Sequence, residues 1–168
     1  PYIGDVALAE KVCALLQKSS SQPIFVFVIS MENHGPLHLE KVQGDDVERL
    51  YSNPPPEGCD DLTIYLRHLG QADRMVAMLR DQLDALPGDG WLCWFGDHVP
   101  IMPKAYAATA APDGKTDYLI WQKENASDMG SRLDVNIEDL GGLLLQKMGL
   151  ISSADTVSAL AEDEEVRA

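Results

Sequence analysis

The sequence predicts a layered α/β/α fold with a mainly parallel sheet, and three observations carry that expectation. Residues Ile24–Ile29 (Ile-Phe-Val-Phe-Val-Ile) are apolar on both faces and largely β-branched or aromatic, as a strand covered on both sides must be. Trp91–Phe95 is a second apolar run of strand length, and both runs break off in polar, turn-forming residues. Between them, Asp60–Leu86 repeats apolar residues every three or four positions, the period of an amphipathic helix.

Taken in order, Gly4–Lys18 predicts a first helix, with Asp5 as its N-cap and Ser19–Pro23 as its stop. The Ile24–Ile29 strand follows and turns polar at Ser30-Met31-Glu32-Asn33-His34-Gly35-Pro36. Leu37–Gly58, with its three consecutive prolines, reads as a long loop containing a helical turn near Asp45–Leu50; loops of this length usually serve function or move. The Asp60–Leu86 helix takes Asp60 or Asp61 as cap and Pro87-Gly88 as stop. After the Trp91–Phe95 strand, Ile101–Thr116 is a connection, Asp117–Trp121 a third strand, and Leu133–Met148 a helix closed by Gly149. A short helix at Asp155–Leu160 and a frayed acidic tail, Ala161–Ala168, complete a single domain spanning 1–168.

Composition removes several function classes. A net charge of −14 argues against nucleic acid, whose phosphates need clustered Lys and Arg, and against an anionic membrane surface. No apolar run is long enough to span a bilayer. Cys13, Cys59 and Cys93 show neither a CxxC nor a Cys/His metal spacing; Cys13 and Cys93 read as small buried hydrophobes, and Trp91, Trp94 and Trp121 as core. The chain opens on Pro1-Tyr2-Ile3 without Met, which fits a piece of a longer protein.

The chemistry sits where the two apolar runs end. One delivers Asn33-His34, the other Asp97-His98. Asp97 offers a hard oxygen and His98 a borderline nitrogen, a pair suited to Zn²⁺ or Mn²⁺. Adjacent strand residues point to opposite faces, so the two converge only where the strand is ending, and Gly96 makes the required twist cheap. Two ligands are not a complete site. Alternatively, Asp97 caps a turn beside a surface histidine, and Asn33–Pro36 is a turn in which Gly and Pro set the backbone.

Four landmarks in order resemble the sulfatase and lipoteichoic-acid-synthase-like family of the alkaline-phosphatase superfamily. They are the apolar strand with Ser30–Pro36, the Tyr65–Asp73 stretch running into Leu79 and Leu83, Trp94-Phe95-Gly96-Asp97-His98-Val99-Pro100, and Ser131-Arg132-Leu133-Asp134-Val135 with Leu143–Leu150. Val99 stands where the family often has Gly. The resemblance implies the C-terminal portion of an alkaline-phosphatase-like fold, with one divalent metal (Mn, Zn, Mg or Ca) held in part by Asp97 and His98. It implies that His34 contacts the transferred phosphoryl or sulfuryl group or assists the leaving group. Beside that, Glu32 and Asn33 are candidates to orient His34 from behind, with a simply exposed Glu32 as the alternative. The family's Thr, Ser or modified Cys nucleophile and its first acidic metal ligand precede the region matching Tyr2–Lys18. Thr63, Thr109 and Thr116 read as structural, so this chain is expected to be inactive alone and to need the N-terminal half of its catalytic domain.

The implied activity is phosphotransfer or hydrolysis of phosphate or sulfate esters on anionic envelope glycans or glycolipids, in capsule, lipopolysaccharide or teichoic-acid-type polymer assembly. The implied location is the periplasmic or extracellular face of the cytoplasmic membrane, with the cytoplasm as the alternative. His68 reads as a packing residue, Asp73 as a loop pin or solvent-facing group, and His38 as a solvated loop residue. A non-catalytic α/β binding or assembly domain that keeps the fold is the competing reading.

Overall fold

A computed structural model describes residues 3–18, 22–123 and 130–152. Its spine is α3, Asp60–Ala85, which at 26 residues is about 39 Å long. Its buried residues Ile64, His68, Ala72, Met75 and Leu79 recur at the 3–4 spacing that keeps one stripe facing inward. Two separate cores form along that stripe. Near the C-terminal end, Met75 and Leu79 meet Ala9 and Val12 of α1 (Asp5–Leu16), flanked by Val26, Val28 and by Leu92 and Trp94 of β1 (Trp91–Phe95). Near the N-terminal end, Cys59 and Ile64 meet Leu37, Met102 and Ala105, the last on α4 (Pro103–Ala108).

The sheet departs from expectation. Among the described residues it has two strands, β1 and β2 (Tyr118–Gln122), and they run antiparallel, Trp91 opposite Gln122 and Phe95 opposite Tyr118. Backbone bonds from Gly96 to Asp117 and from Lys123 to Gly90 extend the ladder at each end. A mainly parallel sheet is therefore not what this chain forms from its described residues. The 24–29 run, expected as a strand, forms none: it pairs in a ladder with no other described segment. Val26 and Val28 pack on the core, whereas Phe25, Phe27 and Ile29 are 83%, 66% and 69% exposed. Apolar character on both faces is a demand for cover that the sequence carries whether or not the covering segment is present.

Other elements fall near their expected places, although the late helix begins four residues after the expected Leu133. The helical turn appears as α2, Asp46–Leu50, and the late helix as α5, Ile137–Lys147. Gly149 has φ +70°, and bonds from Gly149 N–H to Gln146 and from Leu150 N–H to Leu145 make the Schellman closure of α5. The expected caps shift by one: Gly4 and Cys59 are the N-caps, leaving Asp5 and Asp60 in the first turns, where the exposed Asp60 carboxylate complements the helix dipole. The long connections each hide a short helix that sequence alone does not announce, α4 and a 3-10 turn at Leu37–Leu39. Cys13 and Cys93 are half-buried and Cys59 fully so; all three are free thiols. The Asp155–Leu160 helix and the Ala161–Ala168 tail lie outside the described residues. No described helix is long and apolar enough to cross a membrane.

Candidate active site

His34 and His98 meet. Their rings lie edge to face with centroids 6.1 Å apart, although one follows the 24–29 run and the other follows β1. His34 sits at the end of a turn in which its own N–H donates to the Met31 carbonyl at 3.1 Å. At the β1 end, Gly96 serves close approach: a Cβ there would stand 3.2 Å from Thr116 Cβ, a tight contact, and Thr116 Oγ1 donates to the Gly96 carbonyl at 2.6 Å. Asp97 Oδ1 accepts the His98 N–H at 2.9 Å, which pins the carboxylate beside its neighbour.

Both imidazoles are oriented the same way. His34 Nδ1 is 2.7 Å from the Gly35 carbonyl, and His98 Nδ1 is 2.9 Å from the Val99 carbonyl. A carbonyl oxygen can only accept, so Nδ1 carries the hydrogen in each ring and Nε2 is left for other work. A metal-binding histidine is oriented in this way, its remote nitrogen held by a backbone acceptor. His98 Nε2 and Asp97 Oδ2 are 3.8 Å apart. Two ligand atoms each about 2.1 Å from one tetrahedral ion stand about 3.4 Å apart, so this pair would have to draw slightly closer to share a cation. Bound there, the ion would polarise an ester oxygen. The fit is partial, because no group of three His, Cys, Asp or Glu side chains among the described residues is placed to hold a metal. Both side chains are more than half exposed, so nothing described on this chain closes the site over them.

Behind His34 lies a polar layer. Glu32 Oε2 accepts the N–H of Asp5 at 2.5 Å, the first residue of α1. The Asp5 carboxyl is fully buried with no partner for either oxygen, and Asn33 Oδ1 is likewise buried and unpartnered among the described residues. Burial first, and the Glu32 charge second, push Asp5 above the ordinary carboxylate value, partly offset by His68.

A second network ties down the loop after His34. Arg67 of α3 donates to Asp46 Oδ2 at 2.6 Å, to Glu40 Oε2 at 2.7 Å and to the Lys41 carbonyl at 3.2 Å. Asp46 is fully buried and also accepts from Gln43 N–H and from Arg49; the backbone N–H of Gln43 and then Arg67 hold its carboxyl below the ordinary value. His68, buried on the inward stripe of α3, pairs with Glu40 at 3.1 Å. The signal for it was present in its spacing, four residues from both Ile64 and Ala72. Thr63 is buried and bonded to the Tyr51 hydroxyl, a structural role. His38 is exposed beside an open cleft of about 350 Å³ that Glu40, Asp60 and Lys104 also line. The last landmark, Asp134, is not drawn to the two histidines: its exposed carboxylate takes Lys115 at 2.9 Å.

Comparison with known proteins gives this geometry its context. The sulfatase family model matches residues 1–158. The chain belongs to the sulfatase family. It is also similar to the capsular polysaccharide biosynthesis protein RkpI of Rhizobium meliloti (strain 1021), at 35% identity over 120 residues. That alignment covers 71% of this chain and 20% of the relative, so this chain matches about a fifth of the relative's length. No solved structure matches significantly. Membership agrees with an alkaline-phosphatase-like α/β fold, of which the described residues contribute three longer helices and one antiparallel strand pair.

Proposed function

We propose that this sulfatase-family chain is the C-terminal portion of a metal-dependent phosphotransferase or sulfatase-like hydrolase. Its substrates are phosphate or sulfate esters of cell-envelope glycans or glycolipids. The observation that carries the reading is the meeting of His34 with His98, both rings presenting Nε2 from positions far apart in sequence, one after the 24–29 run and one after β1. Asp97 and His98 supply two ligands to one divalent ion. His34 Nε2 contacts the transferred group, donating a hydrogen bond when the ring is protonated or accepting the proton of an attacking group when it is not.

The nucleophile and the remaining ligands come from polypeptide outside this chain. The 24–29 run supports this, since an apolar segment with no ladder partner among the described residues and with Phe25, Phe27 and Ile29 exposed calls for both a partner and a covering layer. The similarity to a capsule biosynthesis protein supports an envelope polymer as substrate. On this reading the intact enzyme works at the periplasmic or extracellular face of the cytoplasmic membrane.

The incomplete ligand set among the described residues favours, as a second reading, a domain that keeps the fold for binding or assembly. Titration of the chain with Mn²⁺ or Zn²⁺ separates the two. The enzyme reading predicts weak binding that falls about tenfold or more in Asp97→Ala and in His98→Ala. Equal affinity in both variants and the parent would sink the ligand assignment.

A further inference from the structure

We infer that Glu32 is a positioning residue for His34, fastening the turn that carries it to the N-terminus of α1. The inference rests on the role proposed for His34 and adds the means by which the fold holds that ring in place.

Four observations converge. The first is a missing cap: α1 begins after Gly4, which has no side chain to satisfy the free N–H groups of the first turn, and no local side chain does so. The second is the supply of that cap from far along the chain. Glu32 Oε2 receives the Asp5 N–H at 2.5 Å, a charge-assisted bond at the positive end of a helix. The third is the place of Glu32 in its turn. The His34 N–H to Met31 carbonyl bond closes a four-residue turn with Glu32 and Asn33 at its centre, so anchoring Glu32 anchors the residue two places on. The fourth is room. A Cβ at position 4 would stand 3.3 Å from Glu32 Oε2, so a glycine there lets the carboxylate reach the helix end.

The anchor itself is firm. Ala9 and Val12 of α1 are buried against Met75 and Leu79 of α3, so the helix end that holds Glu32 is fixed to the spine of the molecule. His34 is exposed, and among the described residues its side chain has the Gly35 carbonyl and the His98 ring beside it. Rigidity of the ring therefore comes chiefly from the backbone beneath it, and Glu32 is the side chain that ties this backbone to a helix.

The test is a double-mutant cycle in the intact enzyme, with p-nitrophenyl phosphate and p-nitrophenyl sulfate as probes and thermal unfolding recorded in parallel. Glu32→Ala lowers kcat about tenfold while KM stays within about twofold, as expected when a group acting in the transition state is misplaced. Glu32→Gln, whose amide oxygen still accepts the Asp5 N–H, recovers most of the loss. Gly4→Ala lowers kcat less, because the end of a flexible side chain need shift only slightly. In a His34→Ala background, Glu32→Ala costs nothing further, since it acts through the ring already removed. A lowered melting temperature with unchanged kcat, or losses that multiply independently in the double variant, would overturn the positioning role. Should His34→Ala alone leave kcat intact, the proposed function fails first, and the cycle tells the two failures apart.

Discussion

Removing Arg67 tests the network that holds the loop after His34. In Arg67→Ala the buried Asp46 carboxylate loses its 2.6 Å partner, Glu40 loses its 2.7 Å partner, and the Lys41 carbonyl loses a donor. Deleting one member of a fully buried ion pair costs about 3–5 kcal/mol. Here Asp46 is inaccessible, but Glu40 is half exposed and Arg49 more so, which screens part of the field. Asp46 also keeps the Gln43 N–H. The expected loss is therefore about 2–3 kcal/mol, above the roughly 0–1 kcal/mol of a surface pair. The assay is urea unfolding followed by circular dichroism, comparing Arg67→Ala and Arg67→Lys with the parent at neutral pH. In Arg67→Lys a single ammonium cannot span two carboxylates and a carbonyl, so that variant recovers only part of the loss. A destabilisation below about 1 kcal/mol in Arg67→Ala would show that the Asp46 pair is solvated and would refute the reasoning.

Three further outcomes follow from the same structure. Asp46 is held below its ordinary carboxylate value, so its stabilisation is complete above about pH 4 and fades as pH falls through the lowered value; Asp46→Asn should flatten that acid limb of the melting temperature. Asp5 is displaced upward, the opposite sign: its buried charge costs stability as pH rises through the raised value, and Asp5→Asn should raise the melting temperature at neutral pH more than at about pH 4. Ile64→Ala and Met75→Ala, one in each core along α3, should each cost about 2–5 kcal/mol in urea unfolding, with additive losses because the two cores have no packing neighbour in common.

The helices were legible because their information is local. The α3 stripe, the Pro87-Gly88 stop and the Gly149 closure are all written in spacing and turn chemistry, and each boundary falls within a few residues of where the pattern puts it. Strand direction and strand pairing are not local. Trp91–Phe95 and the strand ending at Gln122 were both visible as apolar runs, but nothing in either run says that it lies antiparallel to the other. Ile24–Ile29 makes the point from the other side: its residues specify a covered strand, yet Phe25, Phe27 and Ile29 stay exposed among the described residues.

The site was legible in part for a similar reason. Asp97 and His98 stand out as a pair, and His34 as the end of a strand-like run, but only the fold brings the two histidines within contact. The bond from Asp5 to Glu32 spans 27 residues and has no signature in spacing, because a backbone N–H is the donor. Arg67 had no signal of its own in the sequence, because its three acceptors lie in a loop whose path the sequence leaves open.

What matters most is whether His34 belongs to the same centre as Asp97 and His98. The turnover number of His34→Ala decides it, taken in the intact enzyme at saturating Mn²⁺ with p-nitrophenyl phosphate and p-nitrophenyl sulfate. A shared centre predicts a loss of about a hundredfold, in the range for removing a transition-state hydrogen-bonding or proton-transfer group, with metal affinity nearly unchanged. Turnover equal to that of the parent enzyme would contradict it.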